Sequence, residues 1–230
     1  MASLRGKTVL ITGASGEVGW GIAHAAREAG ATLVLPVRRE EARAALETEL
    51  GTARTWVEVT DFGDDQALAR LRDEATRRFG AIDHVVAPLG AWWQKGLSLD
   101  QPSGELRALL DAYVDAQFRL LSTMAPSLRT SAGSYTFVTG AAGDGPGIPG
   151  AGLLVAAVKA QLGLSQVLRH ELIAEPFRVN EVRISARIER APRAGVVPSQ
   201  LAGRAFVDVM TGEARGALFR YGADQRLVVA

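Results

Sequence analysis

Three spaced glycines, a pair of arginines and one isolated lysine are the residues here whose types and spacing suit chemistry. Gly13, Gly16 and Gly19 stand as GxxGxxG in TGASGEVGWGIA, directly after the apolar run Thr8–Thr12 (TVLIT). Glycines at such a turn permit a tight bend and let backbone N–H groups approach a pyrophosphate. The helix that opens there adds partial positive charge. Thr12, Gly13, Ser15, Gly16, Glu17, Val18 and Gly19 are therefore read as the cradle for a dinucleotide's phosphates. The next apolar run, TLVLPV, ends at Val37 and is followed by Arg38 and Arg39. An NAD(H) site places an acidic side chain there, against the ribose 2′-hydroxyl. Valine cannot accept that bond, whereas arginine pairs with a 2′-phosphate. The pattern predicts NADP(H), with NAD(H) the weaker fit. The competing reading makes both arginines solvated charges at a helix start, where cations oppose the macrodipole.

Lys159 lies in LLVAAVKAQ (153–161), an apolar run with a single charge, and only three of the 26 basic residues are lysines. An ammonium is a compact donor that a planar guanidinium does not replace.

Composition narrows the classes. A chain of 230 residues fits one globular domain over 1–230, and 47% hydrophobic with 22% charged residues is ordinary for one. The net charge of +1 gives no reason to expect nucleic acid or an anionic membrane as partner. Cysteine is absent, which removes disulfides, thiolate metal sites and a cysteine nucleophile. The three histidines, at 24, 84 and 170, show no metal-ligand spacing. MASLRGKTVLITG lacks the long apolar core of a secretory signal. The longest apolar stretch, Ile148–Val158, is interrupted by Pro149, Gly150 and Gly152 and is too short to span a bilayer. A cytoplasmic protein is expected.

Short β-branched runs alternate with helix-period segments, and these elements must position the residues above. Strands are expected at Thr8–Thr12, Thr32–Val37, Thr55–Val59, Asp83–Ala87, Ser134–Thr139, Arg178–Ile184 and Ala217–Tyr221. Helices are expected at Val18–Ala29, Glu40–Leu50, Asp64–Phe79, Ser103–Ser127, Leu153–Ala174 and Ser199–Met210. Regular alternation implies parallel pairing through right-handed crossovers. The expected fold is α/β: one doubly wound Rossmann sheet of about seven parallel strands with helices on both faces.

The chain then resembles the short-chain dehydrogenase/reductase family along nearly its whole length. TVLITGASGEVG is similar to the family's TGxxxGxG fingerprint, with Glu17 in the place of the middle glycine. WVEVTDFGD resembles the family's third-strand segment, with Glu58 for the adenine-contacting Asp and Val59 beside it. RVNEVRI (178–184) and GEARGALFRYGA resemble later family strands. The resemblance implies a nucleotide cofactor held also by Gly90 and Lys159. It also implies homodimers or homotetramers paired through Ser103–Ser127 and Leu153–Ala174. The second of these carries Leu153, Leu154, Ala157, Leu162, Leu164, Val167 and Leu168.

The family's chemistry needs Ser, Tyr and Lys, the last two as YxxxK, which stacks both on one helix face. Lys159 matches the lysine, but Val155 stands where the tyrosine belongs, Gly140 stands at the serine, and no serine occurs from 140 to 161. The NNAG loop is APLG (87–90), Tyr113 stands at the structural asparagine, and Ile184 and Ser185 replace the PG after strand six. Three readings follow. One is an NADP(H)-binding protein without the usual chemistry, as a sensor or as a non-catalytic subunit paired with an intact family member. Another is an oxidoreductase with a different proton donor, Tyr113 first, Tyr135 and His84 behind it. The third is a non-redox cyclase or lyase whose apolar pocket Trp92 and Trp93 would shape.

Overall fold

A computed structural model describes residues 3–191 and 193–230. The elements run β1 (Thr8–Ile11), α1 (Glu17–Glu28), β2 (Thr32–Val37), α2 (Glu40–Leu50), β3 (Thr55–Val59), α3 (Asp65–Phe79) and β4 (His84–Ala87). Then come α4 (Gly104–Leu110), a π-helical turn (Asp111–Asp115), α5 (Ala116–Ser131), β5 (Ser134–Gly140), α6 (Gly152–Glu171) and β6 (Arg178–Ile184). The chain closes with β7 (Ile188–Glu189), β8 (Val197–Pro198), α7 (Ser199–Thr211), β9 (Leu218–Tyr221) and β10 (Leu227–Val229).

The sheet has the order β10-β9-β6-β5-β4-β1-β2-β3. Every pairing in it is parallel except β10 on β9. β1 lies between β2 and β4, with Val9 opposite both Leu33 and His84. Successive strands leave β1 in opposite directions, so a crevice opens at the carboxyl end of this switch point. Burial on both faces explains why β1 and β2 read as nearly continuous apolar runs.

Two apolar cores follow from the two covered faces. One gathers Ile22, Leu35, Leu46 and Phe206 beneath α1, α2 and α7. The other gathers Leu68, Leu121, Phe137 and Leu168 beneath α3, α5 and α6. A third cluster joins Trp93, Leu109 and Tyr113 to Leu154 and Val158 of α6.

The doubly wound α/β fold is as expected, with corrections at its edges. The sheet has eight strands rather than about seven, and β7 and β8 form a separate pair. β10 is three residues on an open edge, two of them exposed, so it carries no period-2 signal. The long fourth helix runs on to Ser131, where Ala132 turns left-handed (φ 51°). Among the described residues, no helix is long and apolar enough to cross a membrane.

Candidate dinucleotide site

β1 releases the chain into the crevice, where Thr12 N–H still reaches Val86 O of β4 at 3.2 Å. Gly13 then turns with φ +59°, and a Cβ on it would lie 2.5 Å from Pro88 O. A Cβ on Gly19 would lie 2.2 Å from Gly13 O, so the first turn of α1 is pressed against the loop. Packing inside the protein demands glycine at both places. Gly16 is different. Its φ of −87° suits any residue, and a Cβ would meet only Gly13 O at 3.4 Å, an ordinary contact. What a side chain at 16 would obstruct is approach from outside to the free amides of α1, and the cradle therefore fits a phosphate-bearing ligand. Ser15, Gly16 and Glu17 are exposed, Val18 is half-buried, and the buried Thr12 hydroxyl has no partner among the described residues.

The end of the crevice expected to take adenosine lies where β2 parts from β1. Pairing with β1 stops at Val34, while pairing with β3 continues to Val37. Pro36 falls in the stretch beyond β1, so its missing N–H costs no ladder bond there. Arg38 and Arg39 follow, both exposed, and neither guanidinium is hydrogen-bonded or ion-paired among the described residues. Glu58 and Val59 lie opposite Pro36 and Val37, and so reach the same end of the sheet. Gly90 (φ +115°) follows β4, and a Cβ on it would lie 2.4 Å from the Tyr113 ring.

The other end holds the expected lysine. Lys159 is exposed on α6, and its Nζ donates to Gly143 O at 2.8 Å, in the turn after β5. Val155, one turn before it, is buried. At Gly140 a Cβ would meet nothing within 4 Å.

The substitute proton donors are placed less favourably. Tyr113 is buried, its hydroxyl donates to Ala91 O at 2.5 Å, and burial raises its pKa. Tyr135 is fully buried and donates to Gln117 Oε1 at 2.8 Å. His84 begins β4, at the opposite end of the sheet from the crevice, and pairs through Nδ1 with Ser134 Oγ at 2.8 Å. The two tryptophans part company. Trp93 is buried with its indole N–H on Glu105 at 2.9 Å, whereas Trp92 is 64% exposed.

Three groups escape sequence reasoning. Gln117, fully buried, donates from Nε2 to Ala87 O at 2.9 Å, one helical turn past the position read as the structural asparagine. Glu181 is fully buried on β6, where Thr139 Oγ1 (2.7 Å), Ser165 Oγ (2.9 Å) and Arg183 Nη2 (2.8 Å) donate to it. Arg183 also donates to Asp144 at 2.6 Å, and Arg220 does so at 2.8 Å. Burial opposes ionisation of Asp144, but these two arginines outweigh it and hold the carboxyl below its ordinary value. Asp144 adjoins Gly143, so the network braces the turn whose carbonyl holds Lys159. Arg190 reaches the glycine turn itself, donating from Nη2 to Ser15 O at 2.8 Å. Only the RVN stretch hinted at the β6 network, and nothing local marked Arg190.

The chain matches a family model described as enoyl-(acyl carrier protein) reductase over residues 13–195. The 1,2-dihydroxy-1,2-dihydronaphthalene dehydrogenase of a Ralstonia species is 29% identical over 182 residues, 76% of this chain and 68% of that one. The cis-2,3-dihydrobiphenyl-2,3-diol dehydrogenase of Paraburkholderia xenovorans is 31% identical over 186 residues, 78% and 65% of the two chains. This chain thus spans about two thirds of those relatives' lengths. In fold it superposes on a dehydrogenase/reductase from Sinorhizobium meliloti 1021 with TM-score 0.85 at 20% identity, covering 97% and 96% of the chains. A 7α-hydroxysteroid dehydrogenase solved with NADH and 7-oxo glycochenodeoxycholic acid superposes with TM-score 0.84 at 22% identity, covering 98% and 97%. With a glycine turn at the switch point of its sheet and a family match running from that turn to residue 195, the chain belongs to the short-chain dehydrogenase/reductase family.

Proposed function

We propose that residues 1–230 form one NADP(H)-binding unit that does not run the family's tyrosine-dependent carbonyl chemistry. It would act as a cofactor-dependent sensor or as a non-catalytic subunit. One juxtaposition carries this reading: Lys159 is kept on α6, while buried Val155 and side-chain-free Gly140 stand where the acid and the polarising donor belong. NADPH bound here would supply hydride from its nicotinamide. The chain's own part is to hold the phosphates on the Gly13–Gly19 turn, take the 2′-phosphate on Arg38 or Arg39, place the adenine by Glu58 and Val59, and orient the ribose with Lys159. Neither valine nor glycine can deliver a proton to the other reactant.

A second reading, a working oxidoreductase, draws support from relatives named as dehydrogenases. Tyr113 would then have to release Ala91 before giving up its proton.

Calorimetry with NADPH and NADH tests the cofactor assignment. A charge-assisted bond is worth roughly 1.5–3 kcal/mol and tenfold in affinity about 1.4 kcal/mol, so NADPH should bind about tenfold to a hundredfold tighter. Arg38→Ala should remove most of that preference. Equal affinities in the parent protein would sink the NADP(H) assignment.

Self-association, as homodimer, homotetramer or hetero-oligomer with an intact family member, belongs to the same proposal, as does a cytoplasmic location. Ala156, Ala160, Gly163 and Val167 are all exposed along α6 and would lie in such an interface. Light scattering at micromolar concentration should report at least a dimer. A monomer that also recovers no partner chain would contradict it.

A further inference from the structure

Arg190 lies in the segment between β7 and β8, far along the chain from the phosphate turn it touches. Four contacts hold it there. Its backbone N–H donates to Glu17 Oε2 at 2.5 Å, and its Nη2 donates to Ser15 O at 2.8 Å. Its guanidinium stacks 5.0 Å from the centre of the Trp20 ring, and the Trp20 indole N–H is itself tied to Glu49 at 2.7 Å. The fourth contact is loose: Arg190 Nε stands 3.8 Å from Glu17 Oε1, beyond hydrogen-bonding distance.

The division of labour matters. Glu17 spends its hydrogen-bonding capacity on the Arg190 backbone amide, with the Ser199 hydroxyl at 3.4 Å, rather than on the guanidinium. Stacking on an aromatic face leaves the edges of a guanidinium free to donate. Of its five N–H groups, only one meets an acceptor among the described residues, and the side chain is 39% exposed. A fixed, stacked cation with uncommitted donors at the lip of a helix N-terminus is a preorganised anion ligand. It also explains how the turn tolerates Glu17. The charge of its carboxylate is faced by that of Arg190, whose Nε stands 3.8 Å from Oε1.

We infer that Arg190 is a ligand for the pyrophosphate of the dinucleotide, added to the glycine turn from the far end of the chain. The inference rests on the NADP(H) reading above. NADPH and NADH share the pyrophosphate and differ at the 2′-position, which makes the test specific. Losing one charge-assisted contact should cost about tenfold in affinity. Calorimetry should therefore find Arg190→Ala weakened about tenfold for NADPH and NADH alike, with Arg190→Lys between it and the parent. Melting curves on each variant report that it is folded.

Unchanged or tighter binding by folded Arg190→Ala would overturn the inference, the second outcome meaning that the residue covers the turn instead of serving it. A loss confined to NADPH would also overturn it, by moving the contact to the 2′-phosphate. If the parent binds neither nucleotide, the functional reading falls and the inference falls with it. If the parent binds and Arg190→Ala matches it, only the inference falls.

Discussion

On the proposed reading, valine at 155 and glycine at 140 decide which part of the family's reaction this chain can serve. A positioned acid is typically worth about 10²–10⁴-fold in rate, and a donor polarising a carbonyl roughly 10²–10³-fold. With NADPH the purified protein should show no appreciable reduction of simple ketones or aldehydes in a spectrophotometric assay. Because such groups act as a unit, either alone should recover little. The pair Val155→Tyr with Gly140→Ser should recover traces. Open space at Gly140 accepts the serine, whereas a tyrosine at buried position 155 adds bulk costing about 1–3 kcal/mol. Melting temperature must be followed beside activity for that reason. Turnover at ordinary rates by the unmodified protein, abolished by Lys159→Ala, would mean that another acid has replaced the tyrosine.

Among the elements, α1 carries the heaviest duty, because its N-terminus is the proposed phosphate cradle and its flank is the seat of α7. A Cβ on Gly21 would lie 1.9 Å from Ser199 O, and one on Gly203 would lie 2.0 Å from Gly21 O. The two backbones touch. Gly21→Ala must push α7 away or shift α1, at a cost of about 1–3 kcal/mol. At about 2–4 °C per kcal/mol for a chain of this size, the melting temperature should fall by several degrees. Gly19 is on the same helix turn and presses on Gly13, so NADPH affinity should fall as well. An unaltered melting curve would show that the helices separate freely. The π-helical turn between α4 and α5 works at the same scale. From it Tyr113 reaches Ala91, and one turn on Gln117 reaches Ala87, so one helix braces both sides of the loop after β4.

Over the whole molecule, mild acid should loosen the fold through its buried histidines. Burial, helped by nearby Arg178, lowers the His84 pKa from 6.5 to about 4, and burial lowers that of His24 as well. The unfolded chain therefore binds more protons than the folded one between about pH 4 and 6.5. Stability should rise with pH through that window and be lost as pH falls through it, by about 2 kcal/mol for His84 between pH 7 and pH 5. Denaturant titrations at the two values check this, and His84→Gln should flatten the difference. A larger stability at pH 5 would refute the assignment. Below pH 4 the loss passes to carboxylates such as Glu74, which Arg77 and Arg78 hold down to about 2.

Much of this was open to reading in one dimension. Strand and helix periods follow from burial on two faces or one, and those faces repeat every two or 3.6 residues along the chain. The glycine turn, Val37 with Arg38, and Val155 with Lys159 are likewise local: each pair or triplet lies within one turn or one helix, so spacing alone brings its members together. The edges escaped, since β10 is short and half-exposed and has no period to detect. Contacts across the sheet escaped more completely. Arg190 and Glu17 are 173 residues apart, and Glu181 meets Thr139 across 42. No periodicity encodes which strands neighbour each other or how closely α1 and α7 approach, because those depend on how the helices share the two faces. The Tyr113 hydroxyl shows the same thing: its place on the long helix was readable, but its bond to Ala91 O and its packing against Gly90 depend on the π-helical turn meeting the loop after β4 in space.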